Sequence, residues 1–327
     1  MSRRTGRAGC FPPPMVLTSR PSDAEPEHMA GHRTTARGIL FLILVATAAA
    51  ASASAFAHEP VEPERKPNAR SAAGAIVFPV VGKTFYTDDF GDPRGQGSHE
   101  GNDIMAPRRA LVVAAEDGTV KYHTTSSRAG CMLYLHGVSG TTYLYVHLNN
   151  DLGNGNDNKG TCVPGVAYAP DLKSGAKVKA GQPIAFNGNS GDADGIHPHL
   201  HFEVHPGDGA AVSPYPYLQK ARRLLFAAKA GSTFTLAVTG SVVSVAGGRI
   251  DLKVERVRNW PNGRKIVHSG QLVSIALPEG VQLDAIPISA GTATEPKVTV
   301  YTTPAKVTLA ALVGEAGALT AERLVPR

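Results

Sequence analysis

The stretch HPHLHFEV, residues 197–204, places three histidines at every second position and apolar residues between them. In an extended strand successive side chains point to opposite faces, so the histidines share one face with Glu203 while the apolar residues share the other. The apolar face predicts a buried strand of a β-sheet. Imidazole is the commonest metal ligand and carries protons near neutral pH, so the polar face indicates a metal site or a general base. A solvated polar face of an antiparallel sheet is the competing interpretation.

Length and composition set the fold class. The chain has 327 residues, enough for about two domains at the usual domain size. Gly 35, Pro 24 and only 6% aromatic residues favour many turns and short strands over long helices. The formal charge is +6, of which +3 lies in the first 57 residues, so +3 remains on the rest of the chain. This mild charge gives no reason to expect nucleic acid, but it could draw an exported protein towards anionic polymers of a cell envelope. The oligomeric state is not indicated.

The first 57 residues have the pattern of a leader with a secretory signal that starts at Met29. Its positive end is followed by an apolar run at 39–50 and by an A-x-A site at 55–57. Cleavage after Ala57 predicts export to the periplasm, cell wall or extracellular space, without stable membrane insertion. An uncleaved anchor is the alternative, because 38–57 is about long enough to span a bilayer.

Cysteine use agrees with export. Removal of the leader takes Cys10 away and leaves Cys131 and Cys162 as a pair. In an oxidising compartment such a pair predicts a disulfide, with two separate buried thiols as the alternative.

Composition shifts divide the rest of the chain. Residues 58–75 are rich in proline and charge and are predicted to be a linker. Residues 76–212 alternate short β-rich runs with turns and predict a domain built on an antiparallel sheet. A connecting helix is predicted at 213–231, capped by Ser213 and stopped by Gly231. Residues 232–327 predict a small all-β domain whose role the sequence does not indicate.

A second polar motif lies upstream, where His99 and Asp103 are four residues apart. On a helix this motif would be a relative of the zincin motif, with Glu100 as the base. Gly101 and Asn102 are poor helix formers, so a turn that enters a strand is the better prediction, and it gives Glu100 no such role.

Together with one histidine of the opening strand, His99 and Asp103 make two imidazoles and one carboxylate. This set suits zinc and leaves the fourth tetrahedral position to water, whose pKa zinc lowers to about 7. The alternative is a structural zinc site, for which His197 or His205 would have to supply a fourth ligand.

His147 ends a predicted strand at 141–148. Standing alone, it would be a strand-end histidine with its hydrogen bonds satisfied. Beside a metal site on neighbouring strands it becomes a candidate acid, base or oxyanion stabiliser.

Three segments, in this order, resemble the signature segments of the lysostaphin-type (LytM-like) zinc endopeptidases. They are His99-x-Gly101-x-Asp103, Tyr145-Val146-His147 and the PHLHFE of residues 198–203. The resemblance extends over about residues 76–206 and includes the flanks at 103–107, 115–120 and 188–191. That family cleaves peptide bonds in the stem and bridge peptides of bacterial peptidoglycan.

The resemblance implies zinc ligands at His99, Asp103 and His201 and catalytic histidines at His147 and His199. It implies a secreted zinc endopeptidase that acts on peptidoglycan peptides. Two alternatives stay open: a non-catalytic module of the same fold that binds the wall or activates another hydrolase, and a wall-binding adhesin with structural zinc. Residues 191–196 and the loop after His147 are longer than the family pattern and flank the cleft, which leaves the bond preference undetermined. Nothing in the family transfers to 234–327.

Overall fold

The computed structural model of the protein describes residues 75–281 and 296–327, apart from Gln96 and Thr125. The predicted leader and nearly all of the predicted linker lie outside these residues. Within them the chain is mostly β-strand with two short α-helices, so the predicted mainly β fold is confirmed. Neither of these helices has the length and apolar character needed to cross a membrane.

Short strands make up the first part of the described chain. They are β1 (Pro93–Arg94), β2 (Gly97–Ser98), β3 (Asn102–Met105), β4 (Leu111–Val113), β5 (Gly118–His123), β6 (Cys131–Gly137), β7 (Thr141–Leu148), β8 (Lys177–Val178), β9 (Pro183–Phe186) and β10 (His199–Pro206). Six of them form one antiparallel sheet in the order β3-β10-β7-β6-β5-β8. Strands β1 with β2 and β4 with β9 make two smaller antiparallel pairs.

Strand β10 shows the alternation that the sequence predicts. Leu200, Phe202 and Val204 are fully buried and belong to the core of the first sheet. The opposite face is also withdrawn from solvent, with His199 only 3% and Glu203 only 9% exposed. A solvated polar face is therefore excluded for this strand, and the sheet carries a sheltered row of titratable groups.

Longer strands form a second antiparallel sheet. They are β11 (Thr233–Ala246), β12 (Arg249–Trp260), β13 (Lys265–Ala276), β14 (Lys297–Thr302), β15 (Ala305–Lys306) and β16 (Ala321–Pro326). Their order is β13-β12-β11-β14-β16, with β15 paired to β11. Gly247 and Gly248, both at positive φ, make the tight turn between β11 and β12, where a side chain would be strained.

The connecting helix is shorter than the prediction of 213–231. Helix α1 spans Tyr215–Lys220, and Ala221 has already returned to extended backbone. Leu225, which falls at helical spacing from Leu218 and Ala221, is fully buried in a segment that is not helical. The same spacing arises here because Leu218 packs into the first core and Leu225 into the second. The second helix, α2 (Leu309–Val313), is capped by the Thr308 hydroxyl.

Residues from both parts of the chain share the second hydrophobic core. Val77, Val81 and Val113 pack there with Phe226 and with the inner face of the second sheet. Polar contacts reinforce this packing: the His268 ring donates from Nε2 to a backbone carbonyl at 2.9 Å. The position of a domain boundary in this region stays a prediction.

The structure joins Cys131 and Cys162 in a disulfide, as the cysteine count predicts. It ties the first residue of β6 to the loop that follows β7. Because Cys131 is buried in the first core, the bond fixes that loop beside the sheet.

Candidate metal centre

The strand order brings the three sequence motifs to one place. Strand β10 lies between β3 and β7, and His201 is opposite Asp103 on one side and Val146 on the other. His99 precedes β3, and His147 is the neighbour of Val146 in β7. Segments that are up to about a hundred residues apart in sequence therefore share one surface of the sheet.

The side chains of His99, Asp103 and His201 converge on a single point. His99 Nε2 lies 2.9 Å from His201 Nδ1 and 3.1 Å from Asp103 Oδ1, and His201 Nδ1 lies 3.1 Å from the same oxygen. Ligands about 2.0 Å from a tetrahedral zinc ion are about 3.3 Å from one another. The three atoms are thus spaced as the ligands of one small cation are.

Neighbouring groups hold the first two of these side chains. His99 donates from Nδ1 to the backbone carbonyl of Asp89 at 2.8 Å, which leaves Nε2 free to face the cluster. Arg94 donates to Asp103 Oδ2 at 3.0 Å, so the other carboxylate oxygen, Oδ1, is the one directed to the histidines. Sequence reasoning missed Asp89 and Arg94, because only the folded loop before β3 brings them to the site.

Glu203 orients the third side chain. It accepts a hydrogen bond from His201 Nε2 at 3.0 Å on one oxygen and from His205 Nε2 at 2.7 Å on the other. A carboxylate behind a ligand histidine fixes its tautomer and raises its basicity. The alternation of residues in β10 had placed Glu203 on the histidine face, but it gave the residue no role.

No fourth side chain joins the group within the described part of the chain. His197 is exposed, and its Nδ1 lies against the carbonyl of Pro198, whereas His205 is engaged by Glu203. Neither supplies the extra ligand that a structural zinc site would need.

Two further imidazoles stand beside the cluster. His199 donates from Nδ1 to the His197 carbonyl at 2.9 Å, and His147 donates from Nδ1 to the Ser190 carbonyl at 2.9 Å. Each ring therefore directs Nε2 away from its backbone anchor, to 3.7 Å from a carboxylate oxygen of Asp192 for His147 and of Asp103 for His199. The two ring centres are 5.1 Å apart. His147 has a positive φ of 59°, so the chain turns sharply at this residue as β7 ends.

Comparison with known proteins agrees with this geometry. The chain is 35% identical over 118 residues to an uncharacterised metalloprotease of Haemophilus influenzae. The matched residues are 36% of this chain and 20% of the relative, so the chain spans about a fifth of that protein's length.

Solved structures of peptidases are also similar to part of this chain. The catalytic domain of the antimicrobial peptidase lysostaphin from Staphylococcus simulans is 26% identical, with 42% of this chain and 92% of that chain covered and a TM-score of 0.32. A zinc containing peptidase from Vibrio cholerae is 26% identical, with 42% and 39% covered and a TM-score of 0.31. No model of a known protein family matches the chain.

Protonation at the candidate metal centre is set by burial and by charge. Burial opposes the charged forms of both His201 and Asp103, but their mutual hydrogen bond and the neighbouring groups outweigh it. The pKa of His201 rises to about 9 and the pKa of Asp103 falls well below its usual range. A metal ion that binds here displaces the proton of His201, since a ligand imidazole has to be neutral.

His147 shifts in the other direction. Its burial, followed by the nearby His199 and His201, lowers the pKa of the imidazole to about 4. The ring is therefore neutral at neutral pH. An imidazole that is to accept a proton needs this state.

Close contact with strand β10 explains why position 101 of the first motif is a glycine. A Cβ atom on Gly101 would lie 2.6 Å from the Phe202 carbonyl oxygen and 2.8 Å from His201 Nε2. Both contacts are closer than real Cβ atoms tolerate, so any side chain here would displace β10 or the His201 ring.

The cluster forms the floor of a cleft of about 610 Å³. Its rim carries charges of both signs, with the guanidinium groups of Arg94 and Arg128 and the carboxylates of Glu100 and Asp192. Asp192 lies in the short 3₁₀ turn at Gly191–Ala193, within the longer segment that the sequence placed beside the cleft. The cleft can therefore take a peptide that bears charged groups.

Proposed function

We propose that the protein is an exported zinc endopeptidase that hydrolyses peptide bonds of bacterial peptidoglycan. One observation carries the proposal. Three ligand atoms, from His99, Asp103 and His201, lie within 4.8 Å of one another, and the imidazoles of His147 and His199 line the same cleft.

The donor set supports zinc. Two imidazole nitrogens and one carboxylate oxygen are ligands that zinc prefers, and three protein ligands leave a fourth position for water. Zinc bound there supplies a Lewis acid and lowers the pKa of its water to about 7. In this proposal His99, Asp103 and His201 hold the ion, while Glu203 and the Asp89 carbonyl keep two of these rings in the required tautomers.

The two remaining histidines manage protons and charge. His147 and His199 each anchor Nδ1 on a backbone carbonyl and present Nε2 to the cleft. One of them takes the proton of the attacking water and passes a proton to the leaving amine. The other donates to the peptide oxygen as negative charge develops on it.

The substrate class rests on the resemblance of the three motifs and on the charges of the cleft. Stem and bridge peptides of peptidoglycan carry free carboxylates and amines, which Arg94, Arg128, Glu100 and Asp192 can pair with. Export is supported by the Cys131–Cys162 disulfide, which is stable in oxidising compartments, and by the signal-like segment before residue 58.

The test compares two histidines that are two positions apart. Purified protein, His199→Ala and the matched control His197→Ala are assayed for bound zinc and for release of soluble fragments from purified peptidoglycan. We expect all three to keep zinc, and only His199→Ala to lose activity, by about 10²–10⁴-fold. His197 is exposed and outside the ligand group, so its loss should cost little.

Two results would count against the proposal. Equal activity of His199→Ala and wild type would refute the role of His199. Zinc binding and wall binding by the wild type without fragment release would favour the non-catalytic module instead. Mass spectrometry of released fragments identifies which bond is cut.

A further inference from the structure

A second cavity, of about 280 Å³, lies away from the candidate metal centre. It is a partly open cavity where residues 81–83 and 107–111 of the first part of the chain meet residues 264–267 of the second sheet. Five cationic side chains line it: Lys83, Arg108, Arg109, Arg264 and Lys265. No carboxylate is among the lining residues that the structure describes.

Only one of these five cations has a counter-charge within the described residues. Arg108 forms an ion pair with Asp151, a fully buried carboxylate, and also donates to the side-chain oxygen of Asn189 at 2.6 Å. The other four cations make no ion pair with any residue that the structure describes. The cavity therefore keeps an excess of about four positive charges.

The two remaining arginines are held close together. Arg109 donates from Nη1 to the Asp151 carbonyl at 3.0 Å and lies over the Phe186 ring. Arg264 donates from Nη2 to the Arg109 carbonyl at 2.8 Å. Burial, and then the like charge of Arg109, lower the pKa of Arg264. Bringing cations together in a partly desolvated space costs free energy that a bound anion would offset.

A purely structural role explains only part of this arrangement. The hydrogen bond from Arg264 to the Arg109 carbonyl links the two parts of the chain, but it uses one of five guanidinium donors. Lys83 and Lys265 are exposed and make no side-chain hydrogen bond with any described residue, yet both line the same cavity. Hydrogen bonds and ion pairs within the described residues therefore do not account for these two lysines.

We propose that this cavity is an anion site that binds a phosphate group, either as the free ion or as a phosphate ester. A phosphate dianion offers more acceptor oxygens and more charge than a carboxylate, so it can satisfy several cations at once. The cavity volume is sufficient for a phosphate with a small organic group attached. The site is independent of the metal centre and of the proposed hydrolase activity.

Binding of inorganic phosphate to the full chain is measured by isothermal titration calorimetry, with a chelator present so that phosphate on a bound metal adds no signal. The variants are Arg264→Gln, Lys83→Gln and Lys265→Gln. Lys306→Gln is the matched control, because it removes an exposed lysine of the same part of the chain that does not line the cavity. Glycerol 3-phosphate and acetate are titrated in parallel.

We expect one phosphate per chain and about tenfold weaker binding for each cavity variant, with the control unchanged. Affinity should also fall as salt is added. Tighter binding of glycerol 3-phosphate than of phosphate would assign a phosphate ester as the ligand, and equal binding would assign the free ion.

The proposal is overturned if wild type binds no phosphate, if Lys83→Gln and Lys265→Gln bind like the control, or if acetate binds as tightly as phosphate. The two lysine variants keep the test decisive even where Arg264→Gln disturbs folding, since neither lysine side chain makes a hydrogen bond or ion pair with a residue that the structure describes.

Discussion

Both sheets bury an apolar face of their strands in a core. They differ in the residues that lie on the opposite face. In β12 of the second sheet, Ile250, Leu252 and Val254 are fully buried, while the charged residues between them point towards solvent or are only partly covered. In β10 of the first sheet, the apolar face is buried in the same way, but the other face holds sheltered histidines and Glu203. Alternation alone predicts a core face. The residue types and the burial of the other face indicate function.

A buried histidine is not by itself a site, as His268 in the second sheet shows. It is 7% exposed, close to the 3% of His199, but it makes one hydrogen bond to the Leu225 carbonyl and joins no ligand group within the described residues. Its pKa is lowered by burial, with Arg223 adding to the shift. His199 differs because three strands bring other ligands and imidazoles next to it.

The largest difference between the first and the second sheet is expected in catalytic activity, and His147→Ala in the first sheet tests it. Removal of this imidazole should leave the zinc content unchanged and lower peptidoglycan hydrolysis by about 10²–10⁴-fold, because proton transfer or oxyanion stabilisation is lost. His136→Ala, an exposed histidine on the adjacent strand β6, is the control and should stay active. Loss of zinc in His147→Ala would instead place His147 among the ligands.

How much of this site was predictable depends on the type of information each residue needs. The strand at β10, its buried face and the turn at His99–Asp103 follow from local pattern. That His99 and His201 lie close together depends on the strand order. Of the information in the sequence, only the resemblance to a family predicted this pair of ligands. Arg94 reaches the cleft from a hairpin whose position no local pattern defines. The 3₁₀ turn of Asp192 was placed beside the cleft only by the resemblance to a family, which gave Asp192 itself no role.

The prediction of a helix over 213–231 was too long for a related reason. Apolar residues at helical spacing look the same in sequence whether they face one core along a helix or two cores along an extended segment. After Lys220 the chain leaves the first core and packs Leu225 and Phe226 into the second. Tertiary burial decided the backbone conformation there, and local propensity did not.

A smaller effect is expected for Glu203→Gln. This variant tests whether the Glu203 carboxylate on the sheltered face of β10 supports metal binding by His201. The amide keeps the size of the side chain but removes the charge that orients His201, so zinc affinity or activity should fall by about 10–100-fold. Equilibrium zinc titration measures this change. Glu255→Gln removes an exposed carboxylate paired with Lys297 in the second sheet and should leave zinc binding unaltered. Equal zinc affinity in both variants would contradict the role given to Glu203.

The smallest effect is expected for His268→Gln, and it concerns stability rather than activity. Because the folded-state pKa of His268 lies below the unfolded value of 6.5, the unfolded chain binds the proton first as the pH falls. Stability is therefore full above about pH 6.5 and declines as the pH falls towards the folded pKa, by about 1.4 kcal/mol for each pKa unit of the shift.

Urea unfolding at pH 7.5 and at pH 5.5 measures this term in wild type and in His268→Gln. The variant should lose less stability between the two pH values than wild type does. A larger loss in the variant would mean that His268 is charged in the folded protein, and the contrast with the histidines of the first sheet would no longer hold.

The central claim is that distant segments meet on one divalent ion that keeps a coordination position for solvent. A crystal structure of the zinc-loaded protein tests it most directly. The account predicts zinc bound by His99 Nε2, Asp103 Oδ1 and His201 Nδ1, with metal–nitrogen distances of about 2.0–2.1 Å and water in the fourth position. Zinc bound elsewhere, or a fourth side chain in place of the water, would contradict it.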